Sequence, residues 1–449
     1  MNDTIAAIST AQGVGAISII RVSGEDAIDI VSKIFSNKNL KTAPSHTIHY
    51  GYIVFENEKI DEVLVSVMKS PKTFTTEDIV EINAHGGINT TNKILELLLS
   101  SGCRLAEPGE FTKRALLNGR IDYTQAEGVM DLINSKTDVA RKIAINQVSG
   151  KASSLINDLR DELALILANI EVNLNYPEYE DIEDITVEKI KLSMDDINNK
   201  INKIIKESKN GEILKNGIKT VIVGRPNVGK SSLLNNLIGE EKAIVTEIQG
   251  TTRDSVEASL VIDNIILNLI DTAGIRETED VVEKIGVSKS LNLIKEADLV
   301  LLVLNNNEKL TIEDKEIIAS LNGKNYITII NKCDLPKVID DNDLLNKVYI
   351  SATEDINIDG VKDKIKELFN LEKLETEDLT YLTSARSIAL LNQALKATKE
   401  VLKGIDSGFS LDMIEIDLKN IWNLLGEVIG KSYSDELIDE LFSRFCVGK

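Results

Sequence analysis

A strand-like run, Thr220-Val221-Ile222-Val223, opens into Gly224-Arg225-Pro226-Asn227-Val228-Gly229-Lys230-Ser231, and this junction constrains the fold more than any other stretch of the chain. Two glycines at that spacing followed by Lys and Ser arise by chance on the order of a few times per hundred thousand positions. A buried strand entering such a turn, with a helix to follow, is the setting in which backbone N–H groups converge on phosphates. Lys230 is then expected to reach the β- and γ-phosphates of a nucleotide. The Ser231 hydroxyl is expected to ligate Mg²⁺, which takes hard oxygen ligands in near-octahedral geometry.

Downstream, the strand candidates Ile265–Ile270, Leu299–Leu304 and Tyr326–Ile330 alternate with helical ones, an order that builds a mostly parallel sheet. Asp271-Thr272-Ala273-Gly274 ends the first of them, setting Asp271 in the metal's outer shell and the Gly274 N–H beside the γ-phosphate. Asn331-Lys332-Cys333-Asp334 ends the third, and the Asp334 carboxylate can accept two N–H bonds from guanine, a pattern adenine does not offer. GTP is therefore favoured over ATP, with Ser351-Ala352 completing the base pocket. Thr251-Thr252-Arg253-Asp254 is placed as a switch would be, with Thr252 as second Mg²⁺ ligand and Arg253 as a weak option for a charge-stabilising finger. Ile275 follows Gly274 and has no polar atom in its side chain, so another group must orient the attacking water.

On either side the pattern changes. Residues 1–118 read as a small α/β unit, with short apolar runs such as Ala16–Ile20 and Leu64–Met68. Helical periodicity runs from about Thr124 to Asn175 and again over Val187–Ser208, where Lys209-Asn210-Gly211 is expected to end the helix. Pro177 and the acidic 178–184 stretch read as a solvated linker. Helices return over Ser387–Gly404, Leu411–Gly430 and Asp435–Phe442. The expected fold is therefore α/β plus all-α: a helical domain over 119–215 and 376–449, interrupted by a P-loop domain over 216–375.

Composition narrows the partners. A net charge of −21 opposes non-specific attraction to phosphate backbones, so a nucleic-acid partner must be met by a local basic patch. Cys103, Cys333 and Cys446 are too few and too scattered for a disulfide framework or a paired zinc site. His46, His49 and His85 form no recognisable metal set, and Trp422 reads as core. With no apolar run near the roughly 20 residues that a spanning helix needs, a cytoplasmic protein without membrane association is expected.

Residues 224–232, Gly250–Asp254, Asp271–Gly274 and the terminal Phe445-Cys446-Val447-Gly448-Lys449 together resemble the MnmE (TrmE) family of tRNA-modification GTPases. Asp3-Thr4-Ile5, His85-Gly86-Gly87, Gly109–Thr112 and Gln125-Ala126-Glu127 look like its flanking signatures, so the likeness spans the whole chain. It implies GTP contacts from Asn227, Val228, Gly229, Lys230, Ser231 and Ser232, and from Thr246, Glu247, Ile248, Gln249, Gly250, Thr251 and Thr252. Asp271, Thr272, Ala273, Gly274, Asn331, Lys332, Asp334, Ser351 and Ala352 complete that set.

The resemblance also implies K⁺ beside the phosphates, held by Asn227, Thr246, Ile248 and Thr251, in place of an arginine finger. Glu283 would arrange the catalytic water, although the residues alone rank it no higher than Glu277 or Glu279. The N-terminal domain would form a homodimer and bind a 5-formyl- or 5,10-methylene-tetrahydrofolate through Arg21, Glu81, Arg120 and Lys449. Read alone, Arg21, Glu81 and Arg120 fit surface ion pairs better than a ligand site. Cys446 would assist the modification; from the residues alone, this end is a frayed tail. The implied partners are tRNA and MnmG (GidA), in a heterotetramer to which MnmG brings FAD. A ribosome-assembly GTPase shares the Asn-Val-Gly-Lys-Ser loop, but it calls for a basic RNA-binding domain that the acidic total disfavours.

Overall fold

A computed structural model describes residues 3–175, 187–239, 256–262, 265–270, 292–369, 379–431, 435–443 and 445–449. The chain divides into two compact units. One comprises Met1–Met130, Gln147–Asn199 and Ala389–Lys449; the other comprises Asp131–Asn146 and Lys200–Ile388.

The first unit opens with β1 (Ile5–Ile8), β2 (Gly15–Ser23), α1 (Ala27–Ile34), β3 (Thr47–Phe55), β4 (Glu58–Met68), β5 (Ile79–Gly86), α2 (Ile88–Ser100), β6 (Arg104–Leu105) and α3 (Glu110–Leu117). Its sheet has the order β3-β4-β5-β2-β1-β6, antiparallel except where β6 runs beside β1. α1 buries Ala27, Ile28, Ile30, Val31 and Ile34, a helical stripe, and α2 buries Ile94, Leu97 and Leu98. Both stripes pack on Ile20, Val22, Val65, Val80 and Ile82, which leaves the opposite sheet face to carry polar groups. On that face Arg21 of β2 stands directly across from Glu81 of β5.

Helices follow: α4 (Tyr123–Asn134), α5 (Asp138–Val148), α6 (Lys151–Asn175) and α7 (Val187–Asn216). α7 continues through Lys209-Asn210-Gly211, where the sequence pattern suggested a stop. A Cβ on Gly211 would lie 2.7 Å from the Tyr381 Cβ, so this glycine admits a packed ring and breaks nothing. The turn comes at Gly217, with φ of 80°, where a Cβ would lie 2.6 Å from the Ile266 carbonyl oxygen. The acidic 178–184 stretch lies outside the described residues.

The second unit carries β7 (Ile218–Val223), α8 (Lys230–Gly239), β8 (Val256–Ile262), β9 (Ile265–Ile270), β10 (Leu299–Asn305), α9 (Ile312–Ser320), β11 (Asn325–Asn331), β12 (Lys347–Tyr349) and α10 (Asp359–Leu368). The sheet order is β12-β11-β10-β7-β9-β8, parallel except for β8 on β9. Every residue of β10 is buried, as befits a strand covered on both faces. Leu233, Leu237, Val361 and Ile365 pack on one side and Ile294, Ile317 and Leu321 on the other.

The chain ends with α11 (Ala385–Asp406), α12 (Leu411–Val428) and α13 (Asp435–Ser443). In the first unit, α6 buries Ile156, Leu159, Leu163, Ile166 and Ile170 while α12 buries Ile414, Leu418, Ile421, Leu425 and Val428. Alternating three- and four-residue spacing brings these ridges together, with the Arg160 guanidinium 4.0 Å above the Trp422 ring.

Candidate functional site

The phosphate loop lies at the carboxyl end of β7, where open parallel sheets bind ligands. Two of its glycines are required by space. A Cβ on Gly224 would lie 2.4 Å from the Val303 carbonyl oxygen, and one on Gly229 would lie 2.0 Å from Asn331 Nδ2. Asn227, between them, adopts φ of 62°, a left-handed conformation that Asn tolerates better than most residues. The alternation leaves the loop as a cradle of backbone N–H groups above the start of α8, suited to an anion.

Lys230 Nζ donates to the carbonyls of Gly224 at 2.8 Å and Arg225 at 2.7 Å, both within its own loop. Burial holds its ammonium below the usual lysine range. Phosphate oxygens are the natural replacement for those carbonyls, since they would compensate the buried charge. Ser231 stands on the first turn of α8 and is exposed, while Ser232 is half-buried.

Asn331 ties the phosphate loop to the base loop. Its Nδ2 donates to the Val228 carbonyl at 2.8 Å, and its Oδ1 accepts from the Ala352 N–H at 3.0 Å. Lys332 Nζ reaches the Asn227 carbonyl at 3.2 Å, and Asn236 Nδ2 holds the Ala352 carbonyl at 2.7 Å. Ser351 is fully buried and Asp334 is exposed, its carboxylate open to a base. Cys333 is half-buried, its thiol pushed up by burial and then by the Asp334 charge. Arg225 was assigned no role from sequence. It bonds Glu308 at 2.8 Å and the buried Asp314 at 3.0 Å, and Asp314 closes the capping box of α9 with Thr311. No local motif signals that bond, because its partners lie more than eighty residues away.

Thr246, Glu247, Ile248, Gln249, Gly250, Thr251, Thr252, Asp271, Thr272, Ala273, Gly274 and Glu283 lie outside the described residues.

A second constellation forms on the N-terminal sheet. Arg21 bonds the Glu81 carboxylate at 2.8 Å, and its guanidinium lies 5.5 Å from the centre of the Phe111 ring. Arg120 lies 4.9 Å from the centre of the Phe74 ring. Phe111 and Phe74 belong to one apolar cluster with Ile5, Ala7 and Ala106, and neither ring could be assigned to the site from spacing alone. The chain terminus is docked here, which corrects the expectation of a frayed tail. Gly109 N–H donates to the Cys446 carbonyl at 3.2 Å, Phe111 N–H donates to the Lys449 carbonyl at 3.1 Å, and Pro108 bridges Val447. Gly448, with φ of 95°, passes so close to β1 that a Cβ would lie 2.4 Å from the Ile8 carbonyl oxygen. Cys446 itself is exposed.

A glycine-built phosphate loop joined through Asn331 to an Asn-Lys-x-Asp turn, on a mostly parallel sheet, defines a P-loop GTPase fold. The family described as GTP-binding protein TrmE N-terminus matches residues 4–120, and the MnmE helical domain matches residues 123–446. The tRNA modification GTPase MnmE of Ligilactobacillus salivarius is 53% identical, covering 100% of this chain and 98% of the relative. Those of Streptococcus thermophilus and Bacillus cytotoxicus are each 52% identical, covering 100% of this chain and 98% and 99% of their own lengths. The chain belongs to the MnmE (TrmE) family.

Proposed function

We propose that the chain hydrolyses GTP in a potassium-stimulated reaction and couples that cycle to installing an aminomethyl or carboxymethylaminomethyl group at C5 of the tRNA wobble uridine. The observation that carries the GTPase half is the double hydrogen bond of Asn331, which joins the phosphate cradle to the base loop in one rigid site. Family membership supplies the tRNA half.

In this reading Lys230 exchanges the Gly224 and Arg225 carbonyls for β- and γ-phosphate oxygens, and Asp334 accepts from the guanine edge. Ser231 and Thr252 would hold Mg²⁺; Asn227, Thr246, Ile248 and Thr251 would hold K⁺. The exposed, left-handed Asn227 suits that role, because its side chain is not consumed inside the loop. Held by those residues, the two cations would supply positive charge to offset the charge that develops on the phosphoryl oxygens. Glu283 orients the attacking water.

The Arg21–Glu81 pair, Arg120 and Lys449 would bind the tetrahydrofolate one-carbon donor on the N-terminal sheet, with Cys446 assisting the transfer. Arg21 and Arg120 are each backed by an aromatic ring, and the docked terminus supports the placement of Lys449. We assign 1–118 to a folate-binding and dimerisation domain, 119–215 with 376–449 to the helical domain, and 216–375 to the G domain. MnmG would complete a heterotetramer and bring FAD. Nucleoside analysis of tRNA from a strain lacking the chain tests the assignment: loss of the C5-modified wobble uridine is expected, and unchanged wobble uridines would contradict it.

A further inference from the structure

On the N-terminal domain an open cavity of about 520 Å³ lies between the loop after β4 and the turn after α3. Its charged or titratable lining consists of His46, Lys72 and Arg120, and no Asp or Glu contributes, although the chain as a whole carries −21. A local reversal of sign of this kind selects anions from solution. The walls are preformed. Ser70 Oγ donates to the Thr76 carbonyl at 2.7 Å, Thr73 Oγ1 donates to the Glu77 carbonyl at 2.6 Å, and Asn118 Nδ2 joins the second wall to the first through the Thr75 carbonyl at 2.7 Å. The acidic side chains of the same loop point their charge elsewhere: Glu77 pairs with the buried Arg114, and Asp78 accepts from the Ser70 N–H.

The cavity also shares Arg120 with the proposed folate residues. Arg120 lines it and lies over Phe74, and Phe74 packs in the cluster of Phe111, the ring beneath Arg21. A ligand that contacts Arg21, Glu81 and Arg120 together would have Lys72 and His46 available beside Arg120 for an anionic extension. We propose that this cavity receives the poly-γ-glutamate tail of the tetrahydrofolate, so that the chain prefers polyglutamylated over monoglutamylated cofactor. The proposal rests on the folate reading above. Each γ-linked unit presents one carboxylate, and Lys and Arg side chains bind carboxylates by charge-assisted hydrogen bonds. An RNA backbone would need a basic track longer than the Lys72 and Arg120 that line this pocket.

The test is the ratio of dissociation constants of monoglutamyl and pentaglutamyl 5-formyl-tetrahydrofolate, measured on the full chain, on Lys72→Glu and on Lys72→Arg. Lys72 is exposed, so neither substitution disturbs the core. Two or three rim ion pairs of modest strength give the pentaglutamyl form an advantage of about tenfold, weakened by added salt. Lys72→Glu is expected to cut the ratio below about twofold, and Lys72→Arg to keep it. Equal binding of the two forms by the unsubstituted chain, or an advantage that survives Lys72→Glu, would overturn the proposal while leaving the folate reading intact. Binding of neither form would remove the folate reading and the proposal together. A Lys72→Glu variant that loses tRNA affinity but keeps the pentaglutamyl preference would assign the cavity to RNA and also overturn it.

Discussion

The phosphate loop and the N-terminal constellation are built in opposite ways. Residues 224–231 form their cradle from consecutive backbone, with Gly224 and Gly229 present because the neighbouring Val303 and Asn331 leave no room for a Cβ. The second constellation takes Arg21, Glu81, Phe111, Arg120 and Lys449 from across the chain and assembles them through strand register, aromatic packing and a docked terminus. A backbone site is fixed by a short contiguous motif and tolerates almost no change. A side-chain site is spread thin and degrades in steps.

That contrast can be broken by substitution. Asp334→Asn should weaken GTP by about a thousandfold, because the amide keeps one acceptor oxygen but sets an NH2 donor against the second guanine N–H, while xanthosine triphosphate gains. Nucleotide titration checks it, and folate affinity should stay constant. Gly229→Ala places a Cβ 2.0 Å from Asn331 Nδ2 at φ of 99°. It should cost on the order of 3 kcal/mol, about a hundredfold in nucleotide affinity. A near-normal affinity would show that the loop is less constrained than its geometry implies.

On the N-terminal side, Arg21→Ala should reduce tetrahydrofolate affinity by about tenfold, since it removes one of several charge contacts. GTP turnover without folate should not move, and a loss of turnover would sink the division between the two sites. The smallest effect is in thiol labelling. Burial pushes the Cys103 thiol up to about 12, so at pH 8 only on the order of one molecule in ten thousand carries the thiolate, and Cys103 should stay unmodified until the chain unfolds. Raising the pH increases the thiolate fraction and the rate. Cys446 is exposed and Cys333 half-buried; peptide mass spectrometry should find that GTP slows labelling of Cys333 and that folate slows labelling of Cys446.

The legibility of the two sites in sequence follows from the same contrast. The β7 strand, the glycine turn, α8 and the Asn331–Asp334 turn are all local, and each was readable from spacing. The two hydrogen bonds of Asn331 and the Arg225 ties to Glu308 and Asp314 were not, since they join segments far apart in the chain. Arg21 and Glu81 could be paired only through the register of β2 with β5. The residues of the tail alone do not show its docking, because its partners, Gly109 and Phe111, stand more than three hundred residues earlier. Gly211 looks like a helix stop in sequence because a glycine's packing role depends on its neighbour, here Tyr381, and not on helix propensity.

The potassium-stimulated mechanism is tested by GTP turnover of the purified chain in matched potassium and sodium buffers, with Asn227→Ala alongside. Potassium should strongly stimulate turnover, and the substitution should abolish that stimulation. Equal rates in the two buffers, or stimulation that survives Asn227→Ala, would contradict that mechanism.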